Sequence, residues 1–102
     1  MANDGIAETL KALQNLFEGI GATKWEIIIN ELSNASIVDC EYLQRVQSLI
    51  GGMGSMTDVY IARSNGFNVE EDREEELNNQ LMSLAETLYQ QVKTTMVQLG
   101  CS

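Results

Sequence analysis

The sequence predicts a mainly α-helical protein: a small four-helix bundle with a short β-hairpin or extended excursion between its third and fourth helices. Three observations predict it. Apolar residues recur every three or four positions along four separate segments, which places each set on one helical face. Proline is absent, so no long helix is broken by it. Glycines fall at the ends of the periodic segments, at Gly19, Gly21, Gly51, Gly52 and Gly100.

Ile6, Leu10, Leu13, Leu16, Phe17 and Ile20 mark the first helix, at about 4–18, with Asn3 or Asp4 as its cap. Thr23 and Glu26 have the form of a capping box opening the second, whose stripe is Trp25, Ile28, Ile29 and Leu32. "IIIN" at 27–30 is β-branched, but the stripe and the box favour helix over strand. "SNAS" at 33–36 breaks it. The third helix starts at Ser36 with Asp39 in its first turn, and buries Ile37, Cys40, Leu43, Val46 or Gln47, and Ile50. In "DVYIARSNGFNV", 58–69, Val59, Tyr60 and Ile61 favour a strand, Asn65-Gly66 a tight turn, and Phe67 and Val69 a return strand. Two strands alone are marginal, so such a hairpin must lie on the helices.

Asn68, with Glu71 three residues on, opens the last helix. "EEDREEE" at 70–76 places carboxylates at its positive end. Leu77, Leu81, Leu84, Leu88, Val92, Met96 and Leu99 follow along one face. From 69 to 99 the helix is about 45 Å long, so it spans the molecule or overhangs and finds a partner. The expected core is Leu13, Phe17, Trp25, Ile28, Leu32, Leu43, Val46, Leu81, Leu84, Leu88 and Val92.

The 102 residues fit a single domain, 1–102. Lys plus Arg number 6 against 15 Asp plus Glu, for a net charge of −9. That argues against nucleic acid and anionic membranes as partners, and favours basic ones. No basic segment followed by an apolar run opens the chain, and no run approaches a membrane span, so a cytoplasmic location is expected. Cys40 reads as a small core residue and Cys101 as an exposed free thiol.

Histidine is absent, which removes Ser-His-Asp and Cys-His nucleophile activation and imidazole zinc sites. No catalytic constellation and no cofactor are expected. A magnesium-dependent nucleotide hydrolase would need acidic pairs on two facing helices, and Glu71, Glu74 and Glu75, faced by Glu31 and Glu41, are the candidates. The acids cluster ahead of a leucine stripe, where compensation of the helix dipole explains them better. "GGMGSMTDVYI", 51–61, is the other candidate. Gly52, Met53, Gly54, Ser55, Asp58 and Tyr60 would offer backbone N–H groups to an anion or a partner. The stretch lacks the lysine of a P-loop, and an ordinary reading has Gly51 closing a helix while Ser55 and Asp58 form a capping box.

Gly51, Gly52, Met53, Gly54, Ser55, Asp58 and Gly66, with the acidic helix through "LAETLY", carry a resemblance to an uncharacterised family of small bacterial proteins. The likeness covers about 43–89. Met56 and Thr57 depart from the pattern, which has a larger apolar residue and Asn there. The resemblance implies no activity.

The function expected is a non-catalytic protein-interaction module, of immunity or antitoxin type by analogy of size and charge. Its acidic face, Glu70, Glu71, Glu74 and Glu75, and its glycine loop would meet a basic partner, and the last helix would form a homodimer. The alternative is a small-ligand binder using the 51–60 loop. A carboxylate-dependent magnesium enzyme comes third.

Overall fold

The computed structural model describes residues 2–35, 37–50, 56 and 59–101. Four α-helices run through them: α1 (Ala2–Gly19), α2 (Thr23–Ser33), α3 (Cys40–Ile50) and α4 (Glu74–Leu99), with 3-10 turns at Arg63–Asn65 and Glu71–Arg73. α1 and α2 form an antiparallel hairpin, joined across their faces by Gln14 Nε2 donating to Asn30 Oδ1 at 3.1 Å. α4 lies antiparallel to α1: Thr9 meets Gln91 near one end, and the N–H of Asn68, just before α4, donates to Ile20 O at the other. α3 covers a second flank of α4, also antiparallel.

The core gathers along α1 and α4. Leu10, Leu13, Phe17, Ile29, Leu43, Val46, Leu88 and Val92 are fully buried. Trp25, Ile28 and Leu84, expected inside, are only half-buried and lie against the core's edge. Trp25 stacks on Phe17 at 6.2 Å between ring centroids, and its outer face carries the Lys24 ammonium at 5.4 Å. That placement keeps the indole partly wet while its ring is used. Ile37, expected inside, is 69% exposed, because α3 starts three residues after it.

Several helix starts differ from expectation, each for a stated reason. α1 begins at Ala2, so Asn3 and Asp4 lie within the helix and not at its cap. Thr23 is helical, Ala22 stands at the cap position, and no side chain caps it; the Glu26 N–H donates to Ala22 O instead. α3 begins at Cys40 and not Ser36, with Asp39 Oδ1 accepting the Tyr42 N–H at 2.8 Å as a cap does. Asn68 does not open α4, because its N–H is engaged by Ile20 O and a 3-10 turn at Glu71–Arg73 intervenes. Gly21 and Gly100 terminate their helices at φ +76° and +74°, the left-handed conformation expected there.

The excursion between α3 and α4 contains no strand among the described residues. Hydrogen bonding explains why. The Ile61 N–H donates to Asn78 Oδ1 at 2.8 Å, and Asn78 Nδ2 donates back to Ile61 O at 2.8 Å. One side-chain amide on α4 thus takes the place of a neighbouring strand. Asn65-Gly66 does turn the chain, with Gly66 at φ +88° and its N–H on Arg63 O. The Phe67 N–H closes the turn on Ala62 O at 3.4 Å, and the chain then runs to the end of α1, where Asn68 meets Ile20 O. Ile61 and Met56 are fully buried by this arrangement.

Cys40 and Cys101 form a disulfide, with Cα atoms 5.7 Å apart, at a sequence separation of 61. This corrects the expectation of a core thiol and a free terminal one. Antiparallel packing brings the start of α3 to the end of α4, a juxtaposition that spacing along the chain does not reveal. The molecule is 44 Å along its longest axis, and the 26 residues of α4 give about 39 Å at 1.5 Å each. α4 therefore accounts for most of the molecule's length. Among the described residues no helix is long and apolar enough to cross a membrane.

Candidate functional site

A groove lies where the second half of α1, the 63–73 segment and the start of α4 meet. Its volume is about 750 Å³. Leu16, Ile20, Phe67, Val69 and Leu77 give it an apolar floor, and Asn15, Asn68, Glu70, Gln80, Arg63 and Arg73 give it a polar rim. The local sequence builds it in three steps. Gly21 turns the chain away at the end of α1, Gly66 turns the excursion back toward α1, and the Asn68 N–H on Ile20 O at 2.9 Å fixes the crossing. The Asn78 amide, which also donates to Glu74 O at 2.9 Å, ties the excursion to the first turns of α4.

One residue of the acidic run reaches this rim. Glu70 lines the groove, whereas Glu71 and Glu75 are exposed and Glu74 is half-buried without lining it. Of the carboxylates in 70–76 only Glu76 has an ion pair among the described residues, with Arg73 at 3.6 Å on an exposed surface. Such a pair contributes at most about 1 kcal/mol. Arg63 and Arg73 are two of the chain's six cations and both are exposed, so the rim carries both signs.

Of the candidate loop, Gly52, Met53, Gly54, Ser55 and Asp58 lie outside the described residues. Tyr60 is 62% exposed and is absent from the groove's lining; its carbonyl accepts from Asn65 Nδ2 at 3.1 Å. The structure therefore brings Glu70 to the groove and leaves Tyr60 outside it. The magnesium reading needs three carboxylates from two helices at one point, and among the described residues no three acidic or cysteine side chains converge in that way.

Sequence reasoning missed Asn78, the residue that orders the excursion, and the pairing of Thr9 with Gln91. The buried Thr9 hydroxyl lies 2.9 Å from Gly5 O and 2.7 Å from Gln91 Oε1, so its one proton is shared between them. A polar residue on the inner flank of an amphipathic helix is the available signal in both cases, and it does not name the partner. Comparison with protein-family models, with curated proteins and with solved structures gives no match, so geometry alone carries the functional reading.

Proposed function

We propose that this chain is a non-catalytic protein-interaction module whose acidic end, residues 70–76, receives a basic partner in the manner of an immunity or antitoxin protein. One observation carries the reading: Glu70, at the head of the carboxylate run, lines a groove of about 750 Å³ together with Leu16, Ile20, Phe67 and Leu77. Charge steers a basic segment to that end, and the groove holds an apolar side chain from it. Cytoplasmic residence, expected from the sequence's lack of a signal-like or membrane-length apolar run, stands against the Cys40–Cys101 bond, since structural disulfides persist mainly in oxidising compartments. The disulfide favours such a compartment.

The test is affinity capture from the producing cells with the oxidised chain and with a Glu70→Gln, Glu71→Gln, Glu75→Gln variant. The expected result is a stoichiometric basic protein that is retained at low salt, lost at high salt, and lost with the variant. No stoichiometric partner, or equal capture by both chains, refutes it. A second reading has the groove's size in its favour, because about 300–1,000 Å³ is the range of small-molecule pockets. In that reading the ligand sits against Leu16, Phe67 and Leu77 and not on the glycine loop.

A further inference from the structure

The outward face of α4 differs from the rest of the surface. From Leu77 to Leu99 the helix carries two charges, Glu86 and Lys93, which cancel. The remainder of the molecule therefore holds the whole net charge of −9. Two copies of this chain repel one another through every acidic surface. Along α4 from Leu77 on, where the two charges cancel, they do not.

That face also carries exposed apolar groups. Met82 is 53% exposed, Tyr89 39% and Val97 74%. Met82, Glu86, Tyr89, Lys93 and Val97 follow at spacings of four, three, four and four, which is one helical stripe. Met82 and Tyr89 further border a groove of about 510 Å³ against α3. The stripe has an internal symmetry. Glu86 and Lys93 are equidistant from the midpoint between Tyr89 and Gln90, and so are Met82 and Val97.

We infer that a second copy of this chain docks on this face, antiparallel, about a two-fold axis at Tyr89–Gln90. The axis brings Glu86 to Lys93 of the second copy twice over, brings Met82 to Val97, and stacks the two Tyr89 rings near the centre. A parallel pairing would set Glu86 against Glu86 and Lys93 against Lys93, so the charges select the antiparallel one. The stripe from Met82 to Val97 is about 22 Å long. A contact of that length falls below the roughly 800 Å² per partner of standard interfaces, so the dimer is weak, with a Kd on the order of 10–100 μM.

The test is sedimentation equilibrium of the oxidised chain from about 1 μM to about 1 mM, the range that brackets such a Kd. The variants are Glu86→Lys, Lys93→Glu and the double reversal, all at exposed positions, with circular dichroism confirming the fold. The native chain is expected to dimerise. Each single reversal turns two attractive pairs into two repulsive ones and weakens the dimer about tenfold, and the double reversal restores it. A native chain that stays monomeric, single reversals without effect, or a double reversal that fails to recover each overturns the inference. The stripe shares no residue with 70–76, so loss of the dimer and loss of a basic partner are read independently.

Discussion

Reducing the Cys40–Cys101 bond tests the fold's long-range architecture directly. The bridge ties the start of α3 to the residue after the α4 cap, across 61 residues. In the chain-entropy account, a loop of that length restricts the unfolded chain by about 4 kcal/mol at 25 °C. Domains of this size are stable by about 5–15 kcal/mol in total, so the bridge is a large share. With a urea slope of about 1–2 kcal/mol/M, the reduced chain should unfold about 2–4 M earlier in urea than the oxidised one. The assay is urea denaturation followed by far-UV circular dichroism, with and without a phosphine reductant. Thiol titration should find two free thiols in the reduced sample. A Cys40→Ser, Cys101→Ser chain should match the reduced curve. Amide exchange should rise first at the start of α3 and the end of α4, the two ends the bond holds. Superimposed curves from verified oxidised and reduced samples would refute the reasoning, as would an air-oxidised chain that keeps two free thiols.

Tyr42→Phe removes the hydroxyl that donates to Leu32 O at 2.8 Å in the core, and is expected to cost about 1 kcal/mol, the net worth of one hydrogen bond, since the Ala35 N–H at 3.3 Å stays on that carbonyl; the same urea assay measures it. Burial raises the Tyr42 phenol above its ordinary pKa of 10.0, with Arg45 opposing the shift. A pKa raised on folding gives stability that is full below the unfolded value and is lost as pH rises through the folded one. The native chain should therefore lose stability above about pH 10 more steeply than the Phe variant, in urea midpoints taken from pH 8 to pH 11. Asn78→Leu leaves the Ile61 N–H and C=O without their amide partner. It should cost about 2–4 kcal/mol and bring rapid exchange at the Ile61 amide, whereas slow exchange there would show that another group ties the excursion down.

The helices were legible because each is amphipathic over two or more turns, and periodicity reports which face turns inward. Leu13, Phe17, Leu43, Leu88 and Val92 are buried as that argument requires. The misreadings share a cause. Val59, Tyr60 and Ile61 have strand composition and sit before an Asn-Gly turn, but a strand exists only if a neighbour completes its hydrogen bonds, and here Asn78 does so from a helix seventeen residues on. The candidate capping boxes at Thr23 and Asn68 rest on local spacing; at the first, the Glu26 N–H bonds Ala22 O with no side-chain cap, and at the second, the long-range bond of Asn68 N–H to Ile20 O and the intervening 3-10 turn displace it. The disulfide is the clearest case. Spacing of 61 residues says nothing about proximity, and only the antiparallel lie of α3 on α4 brings the two sulfurs together. Of the candidate site, Glu70 and the acidic rim were legible from charge. The groove beside them was not, because its floor comes from α1, the excursion and α4 together.

The composition of α4 carries a further argument about what its surface is for. Its first turn holds Glu74, Glu75 and Glu76, where carboxylates offset the positive end of the helix dipole. Beyond that turn the exposed polar positions are Asn79, Gln80, Ser83, Thr87, Gln90, Thr94 and Gln98, with Glu86 and Lys93 as the sole charges. Asn, Ser and Thr are poorer helix formers than Glu and Lys, each by a few tenths of a kcal/mol. They also forgo the spaced ion pairs that stabilise an exposed helix. A face shaped for solvation alone would carry those charges, as the rest of this acidic molecule does. Removing charge here sacrifices helix propensity and solubility together, and the compensation that fits is contact: a surface on which a like-charged copy can settle without repulsion, oriented by the two charges that remain.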